Sequence, residues 1–243
     1  MTTFPLDDII LGPQAYGLRK GTEAVVLHTT EFADITRAGA LACIKMQSPG
    51  GSLYAGGGSY HWIIHETGAV LAVPYLESAG SLMGNHNDPV WAPEPHVLTK
   101  LSSAALADTN AYVITLSFSC KAADLSLALT NGRSWANSMV DTAAKIIRWI
   151  EQQPWAPDDI HVLNHEDFQT NRSDPGVGVN EAVIARYKVL YPVTVPAPSP
   201  ATTDYAGTVT AFGTRYPTYV HTAAQALAWV NRKIAELYAS GKL

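Results

Sequence analysis

The residues best suited to chemistry in this chain are histidines and one carboxylate. There are eight histidines, and two pairs, His61 with His65 and His161 with His165, have the four-residue spacing that would bring both rings to one metal on a helix. Both pairs lie in strand-like runs, where four residues span roughly 13 Å, too far for one ion to bridge. A long-range set remains. His28 ends the apolar run "EAVVLHTT", His165 ends "IHVLNH", and Asp174 opens the turn Asp174-Pro175-Gly176. Two imidazoles and a carboxylate would leave a fourth tetrahedral position open, as in catalytic zinc sites. Proline fixes the backbone after Asp174 and glycine permits a sharp bend, so the carboxylate is held in place. Each residue also has an ordinary alternative: a strand-end histidine can be a hydrogen-bonded structural residue, and Asp-Pro-Gly can be only a turn.

The elements that would position these groups follow from periodicity. Residues 23–30 read as a short buried strand, and "EFADITRAGALACIKMQ" reads as a helix with Ile35, Ala38, Leu41, Ala42 and Met46 on one stripe. Residues 48–59, with Pro49 and five glycines, read as a loop. "YHWIIHETGAVLAVPY" predicts a hairpin turning at Glu66-Thr67-Gly68. Residues 76–95 read as a loop and "NAYVITLSFS" as a strand. "SWANSMVDTAAKIIRWIEQQ" is a helix stopped by Pro154, and a further helix is expected from Val179 to Leu190. Strands alternating with helices predict an α/β layer fold. By alternation along the hairpin strand, His61 should face away from Tyr60 and serve structure. Trp62 should share Tyr60's face, to line a groove or to pack.

Bulk properties exclude some classes. The 243 residues are 47% hydrophobic and 15% charged, with a formal net charge of -5. Lysines and arginines are scattered, so no nucleic-acid footprint is present. The two cysteines, Cys43 and Cys120, are expected to be buried thiols, because a domain of this size needs no disulfide. The start, "MTTFPLDDIILGP", lacks a basic segment followed by a long apolar run, and no apolar segment is long enough to span a membrane. Synthesis in a cytoplasm without a signal peptide, and no membrane insertion, are the expectations.

Three segments in order, "VVLHTT", "GGSYHWIIHETGAV" and "HVLNHEDFQTNRSDPG", resemble the zinc-dependent N-acetylmuramoyl-L-alanine amidases of the type 2 amidase family. Phage lysins and peptidoglycan recognition proteins share that fold. The likeness covers about residues 20 to 190. It implies a mixed central β-sheet flanked by helices, with Zn2+ held by His28, His165 and Asp174. It also implies Tyr60 beside the metal, Arg172 where relatives carry a catalytic lysine, and His86 and Trp62 toward the substrate. Glu166 and Asp167 are expected to be solvated or capping groups. Two positions depart from the family pattern: Ser117 stands where many relatives have a glutamate, and arginine replaces the lysine. Arginine stays protonated, so it can stabilise an oxyanion but cannot act as a base.

The implied reaction is hydrolysis of the amide between N-acetylmuramic acid and L-alanine in bacterial peptidoglycan. A phage endolysin, released to the wall at lysis, or a virion-associated lysin fits a chain without a signal peptide. A cytoplasmic muropeptide-recycling amidase and an inactive peptidoglycan-binding module are the alternatives. The expected organisation is a catalytic domain over residues 1–190, a Pro-rich linker over 191–204 and a short helical C-terminal tail over 205–243. That tail carries "AAQALAWVNRKIAELYA" and would dock on the core or on another subunit.

Overall fold

The computed structural model describes residues 8–9, 15–53, 58–80, 82, 90–157 and 160–192. His86, the Pro-rich linker beyond residue 192 and the expected C-terminal helix lie outside the described residues.

In chain order the elements are β1 (Asp8–Ile9), β2 (Ala15–Leu18), β3 (Ala24–Thr29), α1 (Arg37–Gln47), β4 (Trp62–His65), β5 (Gly68–Leu71), β6 (Glu77–Ala79), α2 (Pro95–Lys100), α3 (Ser103–Ala107), β7 (Val113–Phe118), α4 (Ala122–Thr130), α5 (Ser134–Glu151), β8 (His161–Asn164) and α6 (Val179–Leu190). Six strands form one sheet in the order β1-β5-β4-β7-β3-β8, and β2 pairs with β6 separately. The sheet is mixed: β4, β7, β3 and β8 run parallel, and β5 runs antiparallel to β4. The α/β architecture with a mixed sheet and flanking helices is therefore as expected.

Strands β3, β4 and β7 are buried along their whole length, which is why they read as near-continuous apolar runs, whereas the edge strand β8 buries only Leu163 fully. One face carries Val25, Leu27, Trp62, Ile64, Ile114, Leu116 and Phe118, and packs against apolar residues of α4, α5 and α6. The other face is covered in two patches, one around α1 and one around α2 and α3. Burying a side chain of Leu or Phe size contributes about 2 kcal/mol, so these clusters fix each strand's register. Cys43 and Cys120 are both buried and free.

Three local readings need correction. The first helix begins at Arg37 rather than near Glu31, because the Thr36 hydroxyl accepts a hydrogen bond from the Gly39 amide and caps it there. Gly39 is required at that start, since a Cβ would lie 2.3 Å from the Asp34 carbonyl oxygen. Within the expected loop 76–95, residues 77–79 form β6 against β2. Finally, Trp62 does not share Tyr60's surroundings: it lies fully buried with Ile64, while Tyr60 packs beside Ile63. Strand alternation fails here because His61 precedes the strand and its carbonyl accepts from both Ala72 and Val73.

Among the described residues, no helix is long and apolar enough to cross a membrane.

Candidate metal centre

The site lies at the carboxyl ends of the parallel strands, where loops after neighbouring strands converge. β3 and β8 are adjacent, with Ala24 opposite His161 and Leu27 opposite Asn164. This register brings His28, near the end of β3, beside His165, which follows β8 directly. Asn164 and Asp167 cap the short 3-10 turn that begins at His165: each side chain bonds the other's backbone N–H. Asp167 thus has the capping role expected of it.

The loop before α6 returns Asp174 to the same place. The Thr29 amide donates to Asp174 Oδ2 at 3.3 Å, and the Glu166 amide donates to the Asp174 carbonyl at 3.1 Å. Gly176 has φ +101, and a Cβ there would lie 2.4 Å from Ser126 Oγ and 2.6 Å from the Ala122 carbonyl oxygen. Only glycine lets this loop pass so close to α4.

The resulting geometry is compact. His28 Nδ1 lies 3.0 Å from His165 Nδ1 and 3.4 Å from Asp174 Oδ2, and His165 Nδ1 lies 3.1 Å from the same oxygen. All three residues are buried. Bonds of about 2.0–2.1 Å to a tetrahedral zinc place neighbouring ligand atoms about 3.3 Å apart, so the triangle has the size of one face of that tetrahedron. Two imidazole nitrogens and a carboxylate oxygen are also a donor set that zinc accepts.

The profile of the N-acetylmuramoyl-L-alanine amidase family matches residues 19–177, more than half of the chain. The chain belongs to this family.

Among solved structures, the amidase is similar to a mutant of PlyL, with 15% identity over 72% of this chain and 89% of that one and a TM-score of 0.44. It is also similar to PlyL itself, at 13% identity over 66% and 81% with a TM-score of 0.41. The PlyG catalytic domain matches at 13% identity over 79% and 99% with a TM-score of 0.42. No curated protein sequence matches it.

Electrostatics at the amidase site favour the ligand-ready protonation states. Burial, and then the neighbouring His165, lower the pKa of His28 to about 4 against the opposing pull of Asp174. Its ring is therefore neutral near pH 7. Burial pushes the Asp174 carboxyl up, but hydrogen bonds and charge from both histidines outweigh it and hold the group below the usual carboxylate range. At neutral pH the amidase presents the Asp174 anion and a neutral His28 ring, so His28 releases no proton on binding a cation.

Tyr60 borders the same site. Its ring centroid is 5.3 Å from that of His28, and its hydroxyl lies 3.5 Å from the Thr29 carbonyl. Burial above all, then the nearby Cys43 and Asp174, raise its pKa, while the charge of Arg172 opposes this. The phenol stays protonated and is a donor rather than a base. Ser117 is in register with His28 on the adjacent strand, so it borders the site.

Other candidates fall elsewhere. Trp62 is fully buried, near-parallel to Tyr75 with centroids 6.3 Å apart and edge-on to Trp149. It packs in the core and reaches no groove. His61 bonds Thr115 Oγ1 and the Glu77 carbonyl, and burial followed by the charge of Arg19 lowers its pKa to about 3. It is a structural histidine, as expected.

Sequence reasoning missed Gln169. This side chain is 1% exposed, and its Oε1 lies 2.8 Å from His165 Nε2. The same oxygen accepts from Arg172 Nε at 3.4 Å. Its place four residues after His165 carried no signal, because the segment is not a regular helix and the side chain is aimed by tertiary structure.

Proposed function

We propose that this amidase is a zinc-dependent lytic enzyme acting on the bacterial cell wall. The observation that carries this reading is the convergence of His28 Nδ1, His165 Nδ1 and Asp174 Oδ2 within 3.0–3.4 Å of one another. These three residues would hold the ion. Bound zinc would supply a Lewis acid and a water acidic enough to react near neutral pH.

The chain's own residues supply the remaining functions. Asp174 neutralises charge at the centre and is kept ionised by its two histidine partners. Tyr60, protonated and beside His28, donates a hydrogen bond where negative charge develops on the scissile carbonyl oxygen. Arg172 adds a positive charge from the loop that carries Asp174. Arginine is a fixed cation, so it stabilises charge and moves no proton. With serine at position 117, no carboxylate base stands at the family's glutamate position, and Tyr60 carries more of the catalytic burden.

Ser117 also favours a second reading, an amidase fold that binds peptidoglycan without cleaving it. Purified peptidoglycan incubated with the zinc-loaded protein separates the two. The lytic reading expects stem peptides with a free L-alanine amino group, absent with His165→Ala. Wall binding without any released peptide would establish the binding module. Release by lysis or carriage on a virion is the delivery we propose for the lytic enzyme. Under the domain organisation proposed, residues 1–190 are catalytic, and those after the linker over 191–204 form an appendage. His86 is retained as a proposed substrate contact.

A further inference from the structure

We infer that Arg172 and Gln169 form a relay that sets the tautomer of His165 and so decides whether its Nδ1 can serve as a ligand. The inference rests on the reading of His28, His165 and Asp174 as a metal site.

A neutral imidazole carries its proton on one nitrogen and a lone pair on the other. His165 has competing partners for that proton. On one side His28 Nδ1 and Asp174 Oδ2 lie 3.0 and 3.1 Å from Nδ1, and on the other Gln169 Oε1 lies 2.8 Å from Nε2. With the His165 proton on Nε2, the metal-free chain carries the proton between the two rings on His28 Nδ1. If Asp174 takes the proton, Nδ1 is a donor and cannot bind a metal. If Gln169 takes it, Nδ1 keeps its lone pair and faces His28 and Asp174 as a ligand. A ligand histidine commonly donates its other N–H to a carbonyl or carboxylate, which fixes its tautomer and its orientation.

A glutamine can face a histidine with either end of its amide. Reversed, Gln169 would donate its Nε2 to His165 Nε2 and drive the proton to Nδ1, a self-consistent network with Asp174 that blocks the site. Arg172 prevents this reversal. A guanidinium only donates, so the Gln169 atom facing Arg172 Nε at 3.4 Å must be the oxygen. One oxygen then accepts from both Arg172 Nε and His165 Nε2. The cost shows on the other end of the amide: Gln169 Nε2 is buried without a hydrogen-bond partner among the described residues. A buried donor left unpaired is unfavourable, and reversal would satisfy it. The amide is held against its own preference.

The backbone makes this aim rigid. Gln169 forms an isolated antiparallel bridge with Trp91, flanked by hydrogen bonds from the Ala92 amide to the Phe168 carbonyl and from the Thr170 amide to the Val90 carbonyl. The Arg172 amide in turn bonds the Gln169 carbonyl at 3.2 Å, closing the turn that returns the guanidinium to the glutamine. Gln169 and Arg172 Nε therefore act as positioning groups.

The test is the long-range proton–nitrogen NMR spectrum of the histidines in the metal-free full chain, in the neutral-imidazole range, together with zinc affinity by chelator competition. The wild type should show His165 as the Nε2–H tautomer. Gln169→Met, which keeps the volume and removes the acceptor, should shift it toward Nδ1–H and weaken zinc binding about 10- to 100-fold. Arg172→Met, at an exposed position, should shift the tautomer in the same direction by releasing the amide. Gln169→Glu accepts with either oxygen and needs no orienting, so adding Arg172→Met to it should leave the tautomer unchanged. A wild-type His165 protonated on Nδ1 would overturn the relay. So would an Arg172→Met spectrum identical to wild type, or an equal Arg172→Met shift in the Gln169→Glu background. Failure of the wild type to bind zinc would count against the metal reading alone, because the tautomer spectra still judge the relay.

Discussion

His28 and His165 are 137 residues apart in sequence, yet their Nδ1 atoms lie 3.0 Å from each other in the fold. Two imidazole lone pairs do not face each other at that distance unless a proton or a cation lies between them. Asp174 Oδ2 completes the triangle at 3.1 and 3.4 Å. The parallel pairing of β3 with β8 fixes the first edge, and the Asp174-Pro175-Gly176 loop fixes the other two. The site is therefore a product of the sheet register, and whatever moves either strand or that loop moves these three candidate ligands.

Tyr60→Phe tests the proposed donor. The ring and its packing beside Ile63 remain, and only the hydroxyl is lost. Turnover on purified peptidoglycan should fall about a hundredfold, in line with the loss of one oxyanion donor, while zinc affinity stays near that of wild type. Unchanged turnover would remove Tyr60 from the reaction.

Gly176→Ala tests the loop. The new methyl group meets Ser126 and the Ala122 carbonyl, and the positive φ is unfavourable for alanine. Stability should drop by about 1–3 kcal/mol, read as a shift in the urea midpoint. Zinc affinity should fall as well, because relief of the clash displaces the adjacent Asp174. A variant with wild-type stability and affinity would show that the close approach is not required.

Acid sensitivity follows from the buried histidines. Burial, then the charge of Arg19, lowers His61 to about 3 from its ordinary 6.5. As pH falls below about 6.5 the unfolded chain takes up a proton that the folded chain refuses until about pH 3. The unfolded state therefore binds more protons, and stability declines across this window by a few kcal/mol, levelling off below it. His28, lowered to about 4, adds to the same decline in metal-free protein. Urea midpoints of the metal-free chain between pH 7 and pH 3 should fall more steeply for wild type than for His61→Gln, and equal slopes would contradict this assignment.

Much of this arrangement is legible in the sequence, and the remainder fails for physical reasons. β3, the β4–β5 hairpin, β7, α5 and α6 are strong periodic runs with clear stops, and tertiary packing reinforces what periodicity indicates. β6 is only three residues long and exists through its pairing with β2, so no local pattern marks it. The candidate ligand set is readable because each member ends an apolar run or opens a constrained turn, and the fold brings the three together. Trp62 departs from the expected alternation because His61 lies outside the strand, which begins at Trp62. Gln169 is invisible for another reason: its function depends on the orientation of an amide set by Arg172 and by a bridge to Trp91.

The most direct measurement of the central claim is zinc content. Wild type and the variants His28→Ala, His165→Ala and Asp174→Ala would be dialysed against buffered free zinc, with folding checked by circular dichroism. The account predicts one zinc ion per wild-type chain and a sharp loss of bound zinc in each folded variant. Stoichiometric zinc in a folded His165→Ala or Asp174→Ala chain, or none in wild type, would contradict it.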